Sequence, residues 1–409
     1  MGNGTGFVVA VDVGTSKVCA VVGRRTPDGV DVVGFGTHES RGLRKGQVVE
    51  LEATAESLRA ALDEAELMAG IDARNIYVGI SSGQQRGRLA EASLRLGSGV
   101  VNPGDVDRVL DLARRQVVRT GQEVLHTLPV EFGVDGEAGL RRPAGLSGHW
   151  LHARAHVVTT STQTVQNLSR CADRCGVVVD GMVMETLASS FSTLDRQERE
   201  RGVVLVDIGG GTTDIAVWHG GAIVHSAVIP YGGDNVTKDI AIGLSTSWDA
   251  AARLKEQYGC ALTDRADTRS TIDVPGLMGR PSQKMSAALL ATIIEPRLDE
   301  ILRLVRREVE LCGYMDVLES GYVLTGGSVV MPGSVELARR ALGASIRVGV
   351  PVGVGGLLDV VRQPRYAAAV GLLNFVARIR DPSLFYRAPQ RGIGARIRTS
   401  LKGFIDRIL

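Results

Sequence analysis

Two aspartates, 195 residues apart, stand in nearly the same surroundings. Val8–Ser16 reads VVAVDVGTS and Val203–Thr212 reads VVLVDIGGGT. Asp12 therefore precedes a turn of Gly14, Thr15 and Ser16, and Asp207 precedes one of Gly209, Gly210, Gly211 and Thr212. Turns of this kind bring backbone N–H groups close to an anion, because glycine and small hydroxyl residues leave room for it. Two such turns facing each other can cradle a polyphosphate. A carboxylate beside each suits hydrated Mg2+, which takes few carboxylates and keeps several waters. One such turn is weak evidence; its repetition at the start of two half-chains is much stronger.

Strands must carry these turns. A second apolar run follows each, Lys17–Val22 and Asp214–Trp218, so each copy reads as a buried hairpin. Around the first copy the pattern predicts strands over 7–12, 17–23 and 30–35 and a basic loop at 41–46. A helix over 52–69 places Leu58, Leu62, Ala65 and Met68 near helical spacing, and a strand follows at 76–80. Residues 81–158 read as a separate α/β block with a glycine-rich polar opening. It holds a helix over 105–118 started by Asn102-Pro103, strands over 124–134 and 149–158, and an exposed loop at 135–148. Next come a helix over 164–175, a strand over 177–184, a helix from 187 and a charged connector at 198–202. After the second hairpin, helices are predicted over 235–242 and 248–258, then a polar stretch at 264–283 with one strand over 270–274. Pro296 must interrupt or restart the helical stretch over 285–312, because proline has no N–H for a helix interior. A strand over 322–324 enters Gly326-Gly327-Ser328, a helix follows Pro332, and 366–379 is a final buried helix.

The 409 residues suit two to four domains of about 100–200 residues each. A net charge of +2 lacks the basic bias of a nucleic-acid surface, and no nucleic-acid partner is expected. Five scattered cysteines argue against a disulfide framework and fit a reducing cytoplasm. Cys171 and Cys175 read as helix packing rather than a metal pair, since no second pair with zinc spacing accompanies them. The apolar run from Phe7 is cut by Asp12 and lacks a basic lead, so it does not read as a signal peptide. No apolar stretch approaches the ~20 residues that span a bilayer.

The order Asp12-Val13-Gly14-Thr15, a connector through Glu185, Asp207–Asp214, then Leu324-Thr325-Gly326-Gly327 resembles the actin, Hsp70 and sugar-kinase superfamily. That resemblance implies a duplicated, ribonuclease H-like α/β ATPase fold with two lobes around a nucleotide cleft. A closer resemblance is to the FtsA family of bacterial cell-division proteins. It rests on Ser40–Gly46, Glu64–Gly70, Asp207–Val217, Gly232–Ala241 and Val350–Gly356, and on the block at 81–158, where FtsA carries its own insertion. The implied division is 1–80, 159–200 and 361–380 for subdomain 1A, 81–158 for the insertion 1C, 201–235 and 316–360 for 2A, and 236–315 for 2B. A linker at 381–391 and a membrane-targeting helix at 392–409 complete it.

The resemblance implies ATP and Mg2+ as ligands, with Asp12 and Asp207 on the magnesium side, through water. Gly14, Thr15, Ser16 and Lys17 would form the first phosphate loop and Gly209, Gly210, Gly211, Thr212 and Thr213 the second. Lys255 and the Gly326-Gly327-Ser328 turn would meet the nucleoside, with Asp234 beside the phosphates. Glu185 stands where relatives carry a residue that orients the attacking water; the other reading is a cap on the helix that follows. Ala252 stands where many relatives carry a ribose-binding glutamate, and Ser328 where a third glycine is common. Hydrolysis, if any, is expected to be slow.

The last 18 residues form a distinct pattern. On a helix, Ile393, Ile397, Leu401, Phe404 and Ile408 fall within ~80° of arc, and Ile405 and Leu409 extend the face. Arg391, Arg396, Arg398, Lys402 and Arg407 oppose the single acid Asp406. This reads either as a helix lying in an anionic membrane surface or as a terminal helix packed on the protein's own core. FtsA ends in such a membrane helix. The resemblance also implies self-assembly into filaments, docking of the FtsZ C-terminal tail on 236–315, and recruitment of later division proteins through 81–158. A pilus scaffold resembling PilM is the alternative. A small-molecule kinase is less favoured, because no aspartate base stands beside an acceptor pocket.

Overall fold

The computed structural model describes residues 6–27, 29–277 and 280–378. Phe7–Val13 (β1), Lys17–Thr26 (β2) and Gly29–Glu39 (β3) form an antiparallel meander. The small hairpin Leu43–Arg44 (β4) and Gln47–Val48 (β5), helix Leu51–Ala69 (α1) and strand Asn75–Ile80 (β6) follow. β1 and β2 are buried from Val8 to Val13 and from Val18 to Gly23, as near-continuous β-branched runs should be. α1 lays Leu58, Ala61, Leu62 and Ala65 on β2 and β3.

An inserted unit comes next: Arg86–Arg95 (β7), Pro103–Val117 (α2), Gln122–Val134 (β8), Glu137–Leu140 (β9) and Trp150–Ser161 (β10). Its sheet runs β7-β10-β8-β9, is antiparallel throughout, and has its own core around Val109, Leu110, Leu151 and Val157. α2 begins where Asn102 and Asp105 cap each other's backbone N–H, with Pro103 in the first turn.

The chain returns through Thr162–Arg174 (α3), Val178–Met184 (β11), Glu185–Thr193 (α4) and Arg196–Arg201 (α5). The second half holds Val203–Ile208 (β12), Thr213–His219 (β13), Ala222–Ile229 (β14), Gly233–Gly243 (α6) and Trp248–Tyr258 (α7). Thr271–Val274 (β15), Gln283–Ser286 (β16), Ala287–Leu311 (α8), Tyr322–Thr325 (β17), Ser334–Leu342 (α9) and Ile346–Val348 (β18) continue it. Gly355–Gly356 (β19), Leu358–Val361 (α10) and Ala367–Arg378 (α11) close the described chain. The two large sheets share one plan. Each is a meander whose first strand pairs in parallel with a later strand: β3-β2-β1-β6-β11 in one, β14-β13-β12-β17-β18 in the other, with β19 added beside β3. α4 and α11 pack on each other, α11 against β1 and β2 and α4 against β12 and β13. The duplication therefore extends from the hairpins to whole lobes.

Five elements differ from the sequence pattern. β7 occupies the stretch read as a polar opening: its pairing with β10 runs from Arg86 to Arg95, with Ala90, Ala92 and Leu94 on the inserted core and Glu91, Ser93 and Arg95 exposed. β9 lies inside the expected loop at 135–148, turned back by Asp135 and Gly136, both at positive φ. The charged connector is the short helix α5, capped by Asp195 and Glu198. α8 runs unbroken through Pro296: the proline is exposed, and the buried stripe Leu290, Ile294, Leu298, Ile301 and Val305 holds the helix on both sides of it. β16 also adds a second strand to the polar stretch. The linker at 381–391 and the amphipathic segment at 392–409, with its apolar face Ile393 to Leu409, lie outside the described residues. Among the described residues, no helix is long and apolar enough to cross a membrane.

Candidate functional site

The two aspartate hairpins meet across a cavity of about 470 Å³. Their turns are closed by equivalent bonds, Gly14 N–H to Lys17 C=O at 3.1 Å and Gly209 N–H to Thr212 C=O at 3.0 Å. The turns interdigitate. A Cβ on Gly210 would run into Ser16 Oγ, and one on Gly211 would lie 2.5 Å from Thr15 Oγ1. The third wall is the turn after β17: Gly326 has φ +94°, and a Cβ there would lie 2.5 Å from Asp207 Oδ1. Asp12, Gly14, Thr15, Ser16, Lys17, Glu185, Asp207, Gly209, Gly210, Gly211, Thr212, Lys255, Gly326, Gly327 and Ser328 all line the cavity.

Thr213 and Asp234 stand behind this lining. Thr213 is fully buried, and its hydroxyl donates to Tyr231 C=O at 2.9 Å. Asp234 bonds Ser16 across the cleft, and the Gly233 and Asp234 N–H groups donate to Gly209 and Gly210 C=O at 2.9 and 2.8 Å. The start of α6 therefore braces the second turn from below. Lys17 directs its ammonium to Arg365 C=O at 2.7 Å, over the Tyr366 ring. Lys255 donates to Thr237 Oγ1 at 2.8 Å and Gly233 C=O at 3.1 Å; burial lowers its pKa, opposed by the nearby Asp234 charge. Ser328 donates to Gly209 C=O at 3.2 Å, so its hydroxyl is drawn onto the second turn. On α7 it is Glu256, one residue beyond Lys255, that lines the cavity; Ala252 does not.

Carboxylates crowd the floor. Asp12 is 6% exposed, and its Oδ1 has no hydrogen-bond partner among the described residues. Burial raises its pKa, opposed by the Lys17 charge and by a hydrogen bond with Glu185. Glu185 opens α4, is half-buried, and is held well above the usual carboxylate range, first by burial and then by the charges of Asp12, Asp214 and Asp207. Burial pushes Asp207 up to about 6, against a hydrogen bond from Ser189 Oγ to Oδ2 at 2.9 Å. Asp214, register partner of Asp207 on β13, is pushed up to about 7, chiefly by burial, although Ser81 Oγ donates to its Oδ1 at 2.6 Å. Like charges confined this closely favour a proton or a cation between them. An unpartnered carboxylate oxygen beside two backbone cradles fits a divalent cation carried by a polyphosphate.

Ser81, Asp214, Ser189, Thr237 and Arg365 are among the site residues to which the sequence alone assigned no role. Asp214 stood in plain view as the second acid of DIGGGTTD. The others reach the site only through pairing of distant segments, and no local pattern marks them.

The family model described as "Cell division protein FtsA" matches residues 204–371, and that of the "SHS2 domain inserted in FTSA" matches residues 83–159. The cell division protein FtsA of Pseudomonas aeruginosa is 47% identical over 370 residues, covering 90% of this chain and 89% of the relative. FtsA of Escherichia coli strain K12 is 38% identical over 377 residues, covering 90% of each. Among solved structures, the PilM-PilN type IV pilus biogenesis complex aligns with TM-score 0.65 at 18% identity, over 90% of this chain and 97% of that one. MreB 5 of Spiroplasma citri bound to AMPPNP aligns with TM-score 0.56 at 15% identity, over 90% of this chain and 95% of that one. At such identities these two speak for the fold alone, which is the duplicated, actin-like one. With the division relatives matched along almost their whole length, the chain belongs to the FtsA family of cell-division proteins, an actin-like fold interrupted by that family's SHS2 insertion.

Proposed function

We propose that the cleft binds ATP with Mg2+ and that the protein is a polymerising membrane tether for the division ring. The observation that carries the nucleotide reading is the pair of interdigitated turns beside an Asp12 carboxylate whose Oδ1 has no hydrogen-bond partner among the described residues. Backbone N–H groups of Thr15–Lys17 and Gly210–Thr212, in turns closed by Gly14 and Gly209, would receive the phosphates, Asp12 and Asp207 would hold the hydrated cation, and Lys255 with Gly326-Gly327-Ser328 would bound the nucleoside. Bound Mg2+ supplies charge neutralisation at the phosphate oxygens. Glu185 would orient a water by hydrogen bonding. Burial and its acidic neighbours raise its pKa, which favours a proton on it. In this reading hydrolysis is slow and nucleotide acts mainly on conformation.

The tether reading is supported by the family and by the sequence of residues 392–409, whose basic and apolar faces suit an anionic surface. In this reading the chain lies on the cytoplasmic face of the membrane at the division site, assembles with copies of itself, receives the FtsZ C-terminal tail on 236–315, and engages later division proteins through 81–158. One short helix binds reversibly, and a filament binds through many. Co-sedimentation with anionic liposomes tests it. The full chain is expected to pellet with lipid and a chain ending at Gln390 to stay soluble; equal behaviour of the two sinks the tether.

A further inference from the structure

The inserted sheet is joined to the cleft by a single continuous seam. Its first stem residue after β6 is Ser81, whose hydroxyl crosses to the second lobe, donates to Asp214 Oδ1 at 2.6 Å and lies 3.1 Å from Thr212 Oγ1. Ser81 and Asp214 are 6% and 3% exposed, so this bond is buried, with Ser81 at the wall of the cavity. From there the stem follows β14 and the turn after it. Gly83 faces Pro230, and Gln85 is 3% exposed, with an Oε1 that has no partner among the described residues. Gly87 fits between Ser226 and His156, where a side chain would strike both, and His156 Nε2 lies 2.8 Å from Ser226 Oγ.

β14 itself leads back to the cleft. It ends at Ile229, and four residues later the Gly233 and Asp234 N–H groups hold the Gly209 and Gly210 carbonyls. The insertion is thus fastened to the second phosphate turn twice, directly through Ser81 and indirectly through β14. Anything that orders residues 209–214 orders both fastenings.

We propose that Ser81 is a positioning residue that couples occupancy of the phosphate cradle to the seating of the inserted sheet on β14. The inference rests on the nucleotide reading of the cleft and adds a route by which the cleft regulates the insertion. Linkage makes the route reciprocal: a partner that reseats the insertion changes nucleotide affinity by the same factor.

Hydrogen exchange of the full chain, with and without saturating Mg–ATP, tests the coupling. In the wild type, Mg–ATP is expected to slow exchange at Arg86–Ala90 and Ile223–Ile229 by about fivefold or more. Ser81→Ala should lose that slowing even at nucleotide concentrations that saturate it, and Ser81→Thr, which keeps the hydroxyl, should retain it. Ser226→Ala, at the far end of the seam and outside the cavity, should bind a fluorescent ATP analogue as the wild type does while its seam response falls. Wild-type slowing that survives in Ser81→Ala overturns the proposal. Wild-type binding of Mg–ATP with no change at the seam overturns the coupling and leaves the nucleotide reading standing; absence of nucleotide binding overturns both.

Discussion

The two aspartate hairpins share a backbone and differ in what they carry. Asp12 pairs in register with Cys19 and Asp207 with Asp214, at equivalent positions of the repeat. Cys19 is fully buried, and burial raises its thiol well above the ordinary range, so the first hairpin has one acid and the second has two. The turns differ in the opposite sense. The first bears Thr15, Ser16 and Lys17 and reaches outward: Thr15 accepts the Gly46 N–H at 3.2 Å, and Ser16 meets Asp234. The second offers three glycines before Thr212 and receives those hydroxyls at Gly210 and Gly211. A duplicated element has become a plug and a socket, and a clamp needs that asymmetry, because two turns armed with side chains would collide.

The comparison can be broken at its contact point. Gly210→Val fills the space that Ser16 Oγ occupies, and its expected cost is the largest: nucleotide affinity falling by about 100-fold or more, near 2.7 kcal/mol, read by fluorescence titration. Adding Ser16→Gly should recover part of that loss, and a strictly additive double variant would show that the turns do not interlock.

The acid imbalance comes second. Asp214→Asn removes the carboxylate that only the second hairpin has, and should weaken Mg-dependent binding about tenfold, near 1.4 kcal/mol. Cys19→Ser, at the matching position of the first, should leave Mg dependence as it is. Equal effects would make the difference between hairpins ornamental.

A pH series sharpens the same point. Burial holds Asp207 up to about 6 and Asp214 up to about 7, so these are raised acids. Their contribution to the stability of the ligand-free protein is full below about pH 4, the unfolded value, and is lost as pH rises through 6 to 7. The ligand-free protein should therefore melt lower at pH 8 than at pH 5, and Mg–ATP should raise Tm more at pH 8. A Tm increment from Mg–ATP that is flat between those values contradicts the carboxylate cluster. The smallest effect is expected from Ser328→Gly, which removes one hydroxyl bond to Gly209 and should weaken binding about two- to threefold, near 0.5 kcal/mol.

What the sequence made legible was local. The hairpin strands announce themselves as β-branched runs closed by glycine, and the start of α2 is written in Asn102, Pro103 and Asp105. The actin-like fold and its insertion followed from the order of the motifs. What stayed hidden depends on partners far along the chain. β7 carries only a short alternation, Ala90, Ala92 and Leu94 against Glu91, Ser93 and Arg95, and small alanines among charged residues are a weak strand signal until β10 pairs with them. Lys17 reads as a phosphate-loop cation, yet its ammonium is committed to the carbonyl of Arg365, 348 residues away. Thr213 belongs to the motif and faces the Tyr231 carbonyl, away from the cavity. Pro296 failed as a helix breaker because burial on one face of α8 outweighs one lost bond on the exposed face.

The clamp itself is tested most directly by calorimetric titration of the full chain with ATP, in Mg2+ and in a chelator, beside Asp12→Asn. The two-hairpin account predicts one nucleotide per chain, binding that depends on Mg2+, and loss of that dependence in Asp12→Asn. Binding of equal strength in chelator, or an Asp12→Asn protein that titrates like the wild type, would contradict it.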